Sequence, residues 1–166
     1  MEFRTQRLWI RPIREADREA FLDLVTDPVV KQTYMFPDFD SREAAIPLFE
    51  RLKGLSAAED RYVAAVCLGD TPIGMMNDTE RHGTSVELGY CYLPAYYGNG
   101  YATEALTGAI PWLFEHGFTE VLAGAFEENP ASLRVMAKSG MTLQEHTDDI
   151  EYRGKIHKCI YYAIRK

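Results

Sequence analysis

The alternation of apolar and polar residues is clearest in the middle of the chain, where it predicts a strand, a turn and a helix. Residues 85–93 are mostly aromatic, β-branched or aliphatic, and Pro94 ends the run because it has no N–H for a strand ladder. Apolar residues then recur at steps of three and four, the spacing of one helix face: Ala102, Ala105, Leu106, Ala109, Ile110 and Leu113. Gly98 and Gly100 lie between the two patterns and predict a tight turn.

The same two periods assign the rest of the chain. Strand patterns occur at 7–12, 62–68, 72–77, 120–126, 143–152 and 156–164. Helical apolar faces occur at 16–25, from Ser41 to residue 52, and at 131–140. Pro47 and Pro111 fall inside helical patterns, where proline disturbs a helix. Asn129 and Pro130 have the order of a helix cap followed by a proline in the first helical position.

These elements predict a fold class. The run at 120–126 is short and uniformly apolar, as expected of a buried strand, and one helix separates it from 85–93. We expect these two strands to be parallel, which gives an α+β fold: a mixed, mostly antiparallel sheet with one parallel βαβ crossover and about four helices. The length of 166 residues suits one hydrophobic core, so we expect a single domain, 1–166.

Residues 29–40 have no clear period but contain Tyr34, Phe36 and Phe39. Two interpretations of this segment stay open. It either packs its own aromatic rings on the core or forms one wall of a substrate groove.

Charge and cysteine content limit the classes of partner. The formal net charge of −7, from 25 acidic and 18 basic residues, disfavours nucleic acid and anionic membranes and favours an amine or a basic peptide. Cys67, Cys91 and Cys159 lie in apolar runs, so we expect buried free thiols and a cytoplasmic location. We find no signal-peptide pattern and no apolar run long enough to span a bilayer. The four histidines lack metal-ligand spacing, and no metal is predicted.

The glycine turn has a chemical use. Without β-carbons at positions 98 and 100, the main-chain N–H groups can lie directly against a ligand. Together with the partial positive charge at the start of the following helix, they suit a phosphate or a diphosphate. The alternative is that the glycines only permit a tight turn.

Four motifs in order resemble the Gcn5-related N-acetyltransferase (GNAT) superfamily: Glu-Leu-Gly-Tyr at 87–90, Gly-Asn-Gly-Tyr-Ala-Thr-Glu-Ala at 98–105, Asn129 with Ser132, and Lys-Ser-Gly at 138–140. Within it, Thr-x-Arg-Leu-x-Ile-Arg-Pro at 5–12 is similar to the branch that acetylates N-termini of ribosomal proteins. The resemblance implies an acetyl-coenzyme A-dependent N-acetyltransferase that moves the acetyl group directly, in a ternary complex, to a primary amine. A protein or peptide N-terminus is the favoured acceptor, with a polyamine or another small amine as alternatives, and homodimers are common in the branch.

The resemblance also implies site residues. Those that would contact acetyl-coenzyme A are Tyr92, Leu93, Tyr96, Tyr97, Gly98, Asn99, Gly100, Tyr101, Ala102, Asn129 and Ser132. Related enzymes often have Gln or Arg where this chain has Ala95. Many of them have a tyrosine that protonates the leaving thiolate where this chain has Met136. The similarity to the ribosomal-protein branch implies that Ser132 is instead the general acid that protonates the leaving thiolate.

The strand that carries Glu87 supplies the remaining expectations. Glu87 is the candidate general base, directly or through water; the alternative is a carboxylate that only solvates its face of the sheet or pairs with an arginine. The resemblance implies that a main-chain amide at 91–93 binds the carbonyl oxyanion. Gly89 either allows close approach of the pantetheine arm or is small for packing alone.

Two other functions compete with this interpretation. A dinucleotide oxidoreductase would use the same Gly-x-Gly turn and Glu127 as a ribose ligand, but Thr103 replaces the third glycine and too few residues follow for a doubly wound sheet. A non-catalytic acyl-coenzyme A binding or sensing module would have the same fold without turnover, an alternative that Met136 keeps open.

Overall fold

An eight-stranded mixed sheet runs through the computed structural model, which describes residues 1–166. The strands are β1 (Phe3–Arg4), β2 (Leu8–Arg11), β3 (Ala64–Leu68), β4 (Thr71–His82), β5 (Ser85–Tyr92), β6 (Glu120–Phe126), β7 (Thr142–Tyr152) and β8 (Lys155–Arg165). The helices are α1 (Arg18–Thr26), α2 (Ile46–Ala57), α3 (Tyr101–Glu115) and α4 (Pro130–Lys138). None of the helices combines the length and apolar composition that a bilayer crossing would need.

The strand order confirms the predicted fold class. The strands lie in the order β1-β2-β3-β4-β5-β6-β8-β7, and every neighbouring pair is antiparallel except β5 and β6. Helix α3 connects these two parallel strands, as the periodicity predicted.

Each face of the sheet has its own hydrophobic core because successive strand residues point to opposite sides. On one face, Val86 and Leu88 of β5 belong to the cluster that includes Leu106 of α3 and Met136 of α4. On the other face, Cys91 belongs to the cluster formed by α1 and α2. All three cysteines are buried and free, which confirms the prediction for them.

The parallel pairing of β5 and β6 is short. It comprises only Ser85 with Glu120, Val86 with Val121, and Glu87 with Leu122. A β-bulge in β4 between Asp78 and Glu80 lies opposite the point where this pairing stops. Because a bulge bends its strand and increases the local twist, it helps β5 to diverge from β6 beyond Glu87.

Several element boundaries differ from the sequence prediction. Ser41 precedes a single turn of 3₁₀ helix and its Oγ accepts the Ala44 N–H at 3.2 Å, whereas α2 begins only at Ile46. Pro47 therefore occupies the first turn of α2, where its missing N–H costs nothing. Strand β1 was not predicted, because two residues are too few to show a period. Strand β4 extends beyond the prediction to His82; the residues at this end are polar, and pairing with β5 holds them in the strand.

Strand β7 forms one edge of the sheet and faces solvent along most of its length. It carries four exposed acidic residues, Glu145, Asp148, Asp149 and Glu151. At the tip of the β7–β8 hairpin, the Tyr152 hydroxyl donates to the carbonyl of Lys31 at 2.8 Å, and Arg153 forms an ion pair with Asp38. These contacts tie the hairpin to the segment that precedes α2.

Candidate active site

A cavity of about 460 Å³ opens where β5 leaves β6. It is lined by Gly89 and Cys91 from one face of β5 and by Tyr90 and Tyr92 from the other. Because these residues alternate between the two faces of the sheet, the cavity reaches both of them. A bound molecule in the gap can therefore meet a second molecule that approaches from the opposite side.

The glycine turn lies on the α3 side of this cavity. Gly98 and Gly100 both have φ of 78°, in the left-handed region that side chains disfavour, and Gly100 is the residue before the first turn of α3. The N–H groups of Gly98, Asn99 and Gly100 donate to no protein acceptor. The N–H groups of 101–103 follow in the first helical turn, where the helix supplies no acceptor. Six consecutive amides at a helix N-terminus fit the diphosphate of coenzyme A.

Arg7 holds this turn from the N-terminal segment. Its Nε lies 2.6 Å from Oε2 of Glu104, and its Nη1 donates to the carbonyl of Asn99 at 3.1 Å. The guanidinium also lies 4.6 Å from the centre of the Tyr101 ring. Burial works to raise the pKa of Glu104, but hydrogen bonds from Thr5 and Arg7 outweigh it and lower that pKa. Arg7 belongs to the N-terminal motif at 5–12, but the sequence did not indicate this contact.

The main chain of β5 offers further donors at the gap. The N–H of Leu93 donates to the carbonyl of Ile73 at 2.9 Å, on the β4 side. Since amides along a strand alternate in direction, the N–H groups of Tyr90 and Tyr92 point towards β6, where the pairing has already ended. Among the amides at 91–93, that of Tyr92 is therefore the one directed at the cavity.

Helix α4 brings a serine to the same cavity. The Oδ1 of Asn129 accepts the N–H of Ser132 at 3.2 Å, which caps the helix, and Pro130 occupies the first helical position as predicted. The hydroxyl of Ser132 lies 2.8 Å from the hydroxyl of Tyr90. Burial raises the pKa of Tyr90 to about 12, so its phenol stays protonated. Met136 is fully buried in the core and does not line the cavity.

Glu87 lies on the opposite face of the sheet. It does not line the main cavity but borders a separate cleft of about 90 Å³. It shares its strand face with Gly89, two residues further along and part of the main cavity wall. Burial raises the pKa of Glu87 above its ordinary value, which makes its carboxylate a stronger base.

Gly89 is small for a packing reason as well. A β-carbon at this position would lie 2.9 Å from Cγ2 of Thr79 and 3.0 Å from the hydroxyl of Tyr34. The Tyr34 hydroxyl also donates to the side chain of Asn77. Any larger residue at position 89 would therefore displace the tyrosine that covers this part of the cavity.

Both interpretations of 29–40 describe part of the segment. Phe36 is buried in the core, whereas the preceding residues Val29, Val30, Gln32, Thr33 and Tyr34 line the cavity. The aromatic rings fix the segment on the core, and the same segment then provides one wall of the cavity.

The structure brings most of the predicted site residues together. The cavity wall includes Tyr92, Tyr96, Tyr97, Gly98, Gly100, Tyr101, Ala102, Asn129 and Ser132. Leu93, Asn99 and Glu87 do not line it: the N–H of Leu93 is bonded to Ile73, and the Asn99 side chain bonds the carbonyls of the turn itself. Sequence reasoning missed Tyr90, Arg134 and Lys138 in the wall, because only the packing of α4 against the strands reveals their position.

Comparisons with known proteins agree with this geometry. The "Acetyltransferase (GNAT) domain" family matches residues 7–142. The uncharacterized N-acetyltransferase YoaA of Bacillus subtilis is 27% identical over 144 residues, which cover 82% of this chain and 80% of YoaA.

Two solved structures have the same fold. A GNAT-family acetyltransferase from Bacillus anthracis has a TM-score of 0.86 and 26% identity, covering 99% of this chain and 98% of that one. RimL, a ribosomal L7/L12 alpha-N-protein acetyltransferase in complex with coenzyme A, has a TM-score of 0.85 at 18% identity, covering 97% of this chain and 95% of that one.

The sheet, with one parallel pair among antiparallel strands, also excludes the doubly wound parallel sheet of the dinucleotide alternative. The family match covers most of the chain, and its related proteins are named acetyltransferases. The chain therefore belongs to the GNAT acetyltransferase family and is an acetyl-coenzyme A-dependent N-acetyltransferase.

Proposed function

We propose that this enzyme acetylates the α-amine of a protein or peptide N-terminus by direct transfer in a ternary complex. The observation that carries the proposal is the cavity at the β5–β6 gap, which reaches both faces of the sheet. Free main-chain amides lie on the α3 side, and the face that bears Glu87 lies on the other. The thioester and the amine can thus approach each other from opposite sides without an enzyme-bound acetyl group.

On the α3 side, the chain's own groups are arranged along one path. The amides of 98–103 would bind the diphosphate, and Arg134 and Lys138 of the cavity wall would add positive charge near it. The unpaired strand edge at Tyr90 and Tyr92 would bind the pantetheine arm. The N–H of Tyr92 would then stabilise the negative charge that develops on the acetyl carbonyl oxygen.

The ionisation of the acceptor favours an α-amine. With ordinary pKa values near 7.7–8.0 for an α-amine and about 10.4 for lysine, roughly a seventh of an α-amine is neutral at pH 7 but only about one lysine in a few thousand. A base therefore gives a moderate gain for an α-amine and is close to a requirement for lysine. One partly buried carboxylate outside the main cavity is sufficient for the first task.

Glu87 would take the proton from the amine through a water molecule. It borders a separate cleft and lies two residues before Gly89 of the cavity wall on the same strand face, so a water would link its carboxylate to the amine. Its raised pKa brings it closer to the range where a general base works efficiently.

Ser132 would return a proton to the thiolate when the carbon–sulfur bond breaks. Its hydroxyl is fixed at the start of α4 by the Asn129 cap and faces the cavity on the α3 side. The buried Met136 has no proton to give, so Ser132 is the hydroxyl of this helix that can serve.

Charge and family context support a cationic acceptor. The chain carries a net charge of −7, and β7 presents exposed carboxylates along one edge of the sheet. RimL, which shares the fold, is an α-N-protein acetyltransferase for ribosomal L7/L12. We place the activity in residues 1–166 as one domain, since one sheet includes both the first and the last strand. We place the enzyme in the cytoplasm, because three free buried thiols are typical of a reducing compartment.

An acceptor panel tests the proposal. The enzyme is incubated with acetyl-coenzyme A and basic peptides that differ only in a free or blocked N-terminus and in the presence of a lysine, with spermidine as the small-amine comparison. We expect thiol release with free N-termini, and mass spectrometry should place the acetyl group on the α-nitrogen. Equal turnover of blocked, lysine-containing peptides, or turnover of spermidine alone, would reject an N-terminal acceptor.

A further inference from the structure

Tyr90 and Ser132 share one hydrogen bond inside the cavity. Their hydroxyl oxygens are 2.8 Å apart, although the residues lie on different elements, β5 and α4. The only other acceptor near the Tyr90 hydroxyl is the main-chain carbonyl of Ser132, at a long 3.4 Å. Each hydroxyl has one proton, so a pair joined by one hydrogen bond keeps one O–H free for the cavity.

We propose that Tyr90 and Ser132 act as one proton-donating pair, in which Tyr90 donates to the Ser132 oxygen and so directs the serine proton to the leaving sulfur. Tyr90 is then a positioning residue that acts through Ser132. This inference rests on the proposed function for the role of Ser132. No motif indicated it, because the contact joins residues 42 positions apart.

Ser132 alone would be a poor proton donor, and the phenol of Tyr90 compensates for this. A serine hydroxyl is a much weaker acid than a phenol, and an alkoxide in a buried cavity would be strongly destabilised. As the carbon–sulfur bond breaks and sulfur takes the Ser132 proton, the Tyr90 proton can move to the serine oxygen. Tyr90 takes a proton from water in the same relay, because burial also disfavours a lasting phenolate, and the proton lost by the amine leaves through Glu87. Products are the amide and the free thiol.

Other groups do not offer the same path. Tyr92, the next tyrosine on this strand face, has its hydroxyl buried without a hydrogen-bond partner and makes no bond to Ser132. Cys91 lies on the opposite face, and burial raises the pKa of its thiol. Tyr90 and Ser132 therefore form the pair of hydroxyl groups in the cavity wall that joins a phenol to α4.

The test compares Tyr90→Phe, Ser132→Ala and the double variant with an accepted amine. Removing one member of a proton-donating unit should lower kcat by at least about tenfold and leave KM for acetyl-coenzyme A within about twofold. The double variant should be no more than about twofold slower than Ser132→Ala, because the two hydroxyls act together. Tyr62→Phe is the matched control, since Tyr62 packs against the same core but does not line the cavity.

A change of leaving group separates proton donation from a structural role. In acetyl-seleno-coenzyme A, selenium replaces the thioester sulfur, and the selenolate leaves without needing a proton. We expect the kcat deficit of Tyr90→Phe to shrink to within about threefold with this substrate. An equal deficit with both substrates, or additive losses in the double variant, would overturn the pair. If Ser132→Ala itself keeps full turnover, the proposed role of Ser132 fails, and this inference fails with it.

Discussion

Glu87 is charged at neutral pH at a cost in stability. Burial raises the pKa of its carboxyl group, so the folded protein binds this proton more tightly than the unfolded chain does. The associated stability is fully present below the ordinary carboxyl pKa and is lost as the pH rises through the raised pKa. At neutral pH the enzyme therefore keeps a charged group in a partly desolvated position.

Replacement of this residue should change activity and stability in opposite directions. Glu87→Gln should lower kcat/KM by about tenfold at pH 7 because it removes the base, a moderate loss since roughly a seventh of an α-amine is already neutral there. It should also raise Tm at pH 7 by about 1–3 °C, since glutamine stays uncharged there, and this gain should disappear near pH 4. Differential scanning fluorimetry at both pH values and initial rates provide the measurements.

The matched control for Glu87 is Glu59→Gln, an exposed residue in the loop that follows α2. It removes the same charge far from the sheet gap and should change neither quantity by much. A Glu87→Gln protein that is equally active, or less stable at pH 7, would contradict the assignment of Glu87 as a desolvated base.

Single residues differ in how well the sequence predicts them. Gly98, Gly100 and the Asn129 cap were predicted because their roles depend on adjacent residues. Tyr90 was not, because its partner lies 42 residues further on, and neither was the ion pair of Arg7, whose partner is 97 residues away. Such long-range contacts have no local pattern.

At the scale of elements, the N-terminus of α3 combines features that oppose each other. Its free amides attract a diphosphate, but Glu104 in the same first turn repels one. Arg7 neutralises that carboxylate and bonds the carbonyl of Asn99, so the turn stays both positive and fixed in shape. The N-terminal segment therefore contributes to a site that is otherwise built from β5 and α3.

This arrangement predicts that loss of Arg7 weakens binding of the nucleotide end of acetyl-coenzyme A but not of the pantetheine end. Arg7→Gln should raise KM for acetyl-coenzyme A by about tenfold. This corresponds to roughly 1.4 kcal/mol of binding free energy, lost with the charge-assisted hydrogen bonds of Arg7. KM for S-acetylpantetheine, which has no diphosphate, should change by less than about twofold. Steady-state kinetics with both donors measure the difference.

Arg4→Gln is the comparison for Arg7, because the Arg4 guanidinium lies over the Trp9 ring at 4.0 Å and makes no contact with the turn. It should leave both KM values unchanged. Equal increases for acetyl-coenzyme A and S-acetylpantetheine in Arg7→Gln would show that the arginine supports the fold in general rather than the turn.

Elements with a strong period were predicted well, and those fixed by their neighbours were not. Strand β6 and helix α3 agree closely with the hydrophobic pattern because both are packed against a core. The polar end of β4 and the two-residue β1 exist only through pairing with β5 and β2. The bulge in β4 likewise has no pattern in a single strand, and neither does the point where β5 leaves β6.

At the scale of the whole molecule, ligand binding should appear as stability. A ligand at a hundred times its Kd adds about 2.7 kcal/mol to the free energy of unfolding, which corresponds to about 5–10 °C in Tm for a domain of this size. We expect that shift with acetyl-coenzyme A and none with NAD or NADP at the same concentration. Thermal denaturation followed by tryptophan fluorescence measures it, and a shift with the dinucleotides alone would contradict the cofactor assignment.

The acidic outer strand has a consequence for how copies of this enzyme can meet. An unpaired sheet edge normally invites a second molecule to extend the sheet, with the risk of continued growth into aggregates. On β7, which contains no lysine or arginine, two copies placed side by side would bring several carboxylates of like charge together. Pairing of two β7 edges is therefore disfavoured, which protects concentrated solutions of the enzyme from open-ended polymerisation through this edge.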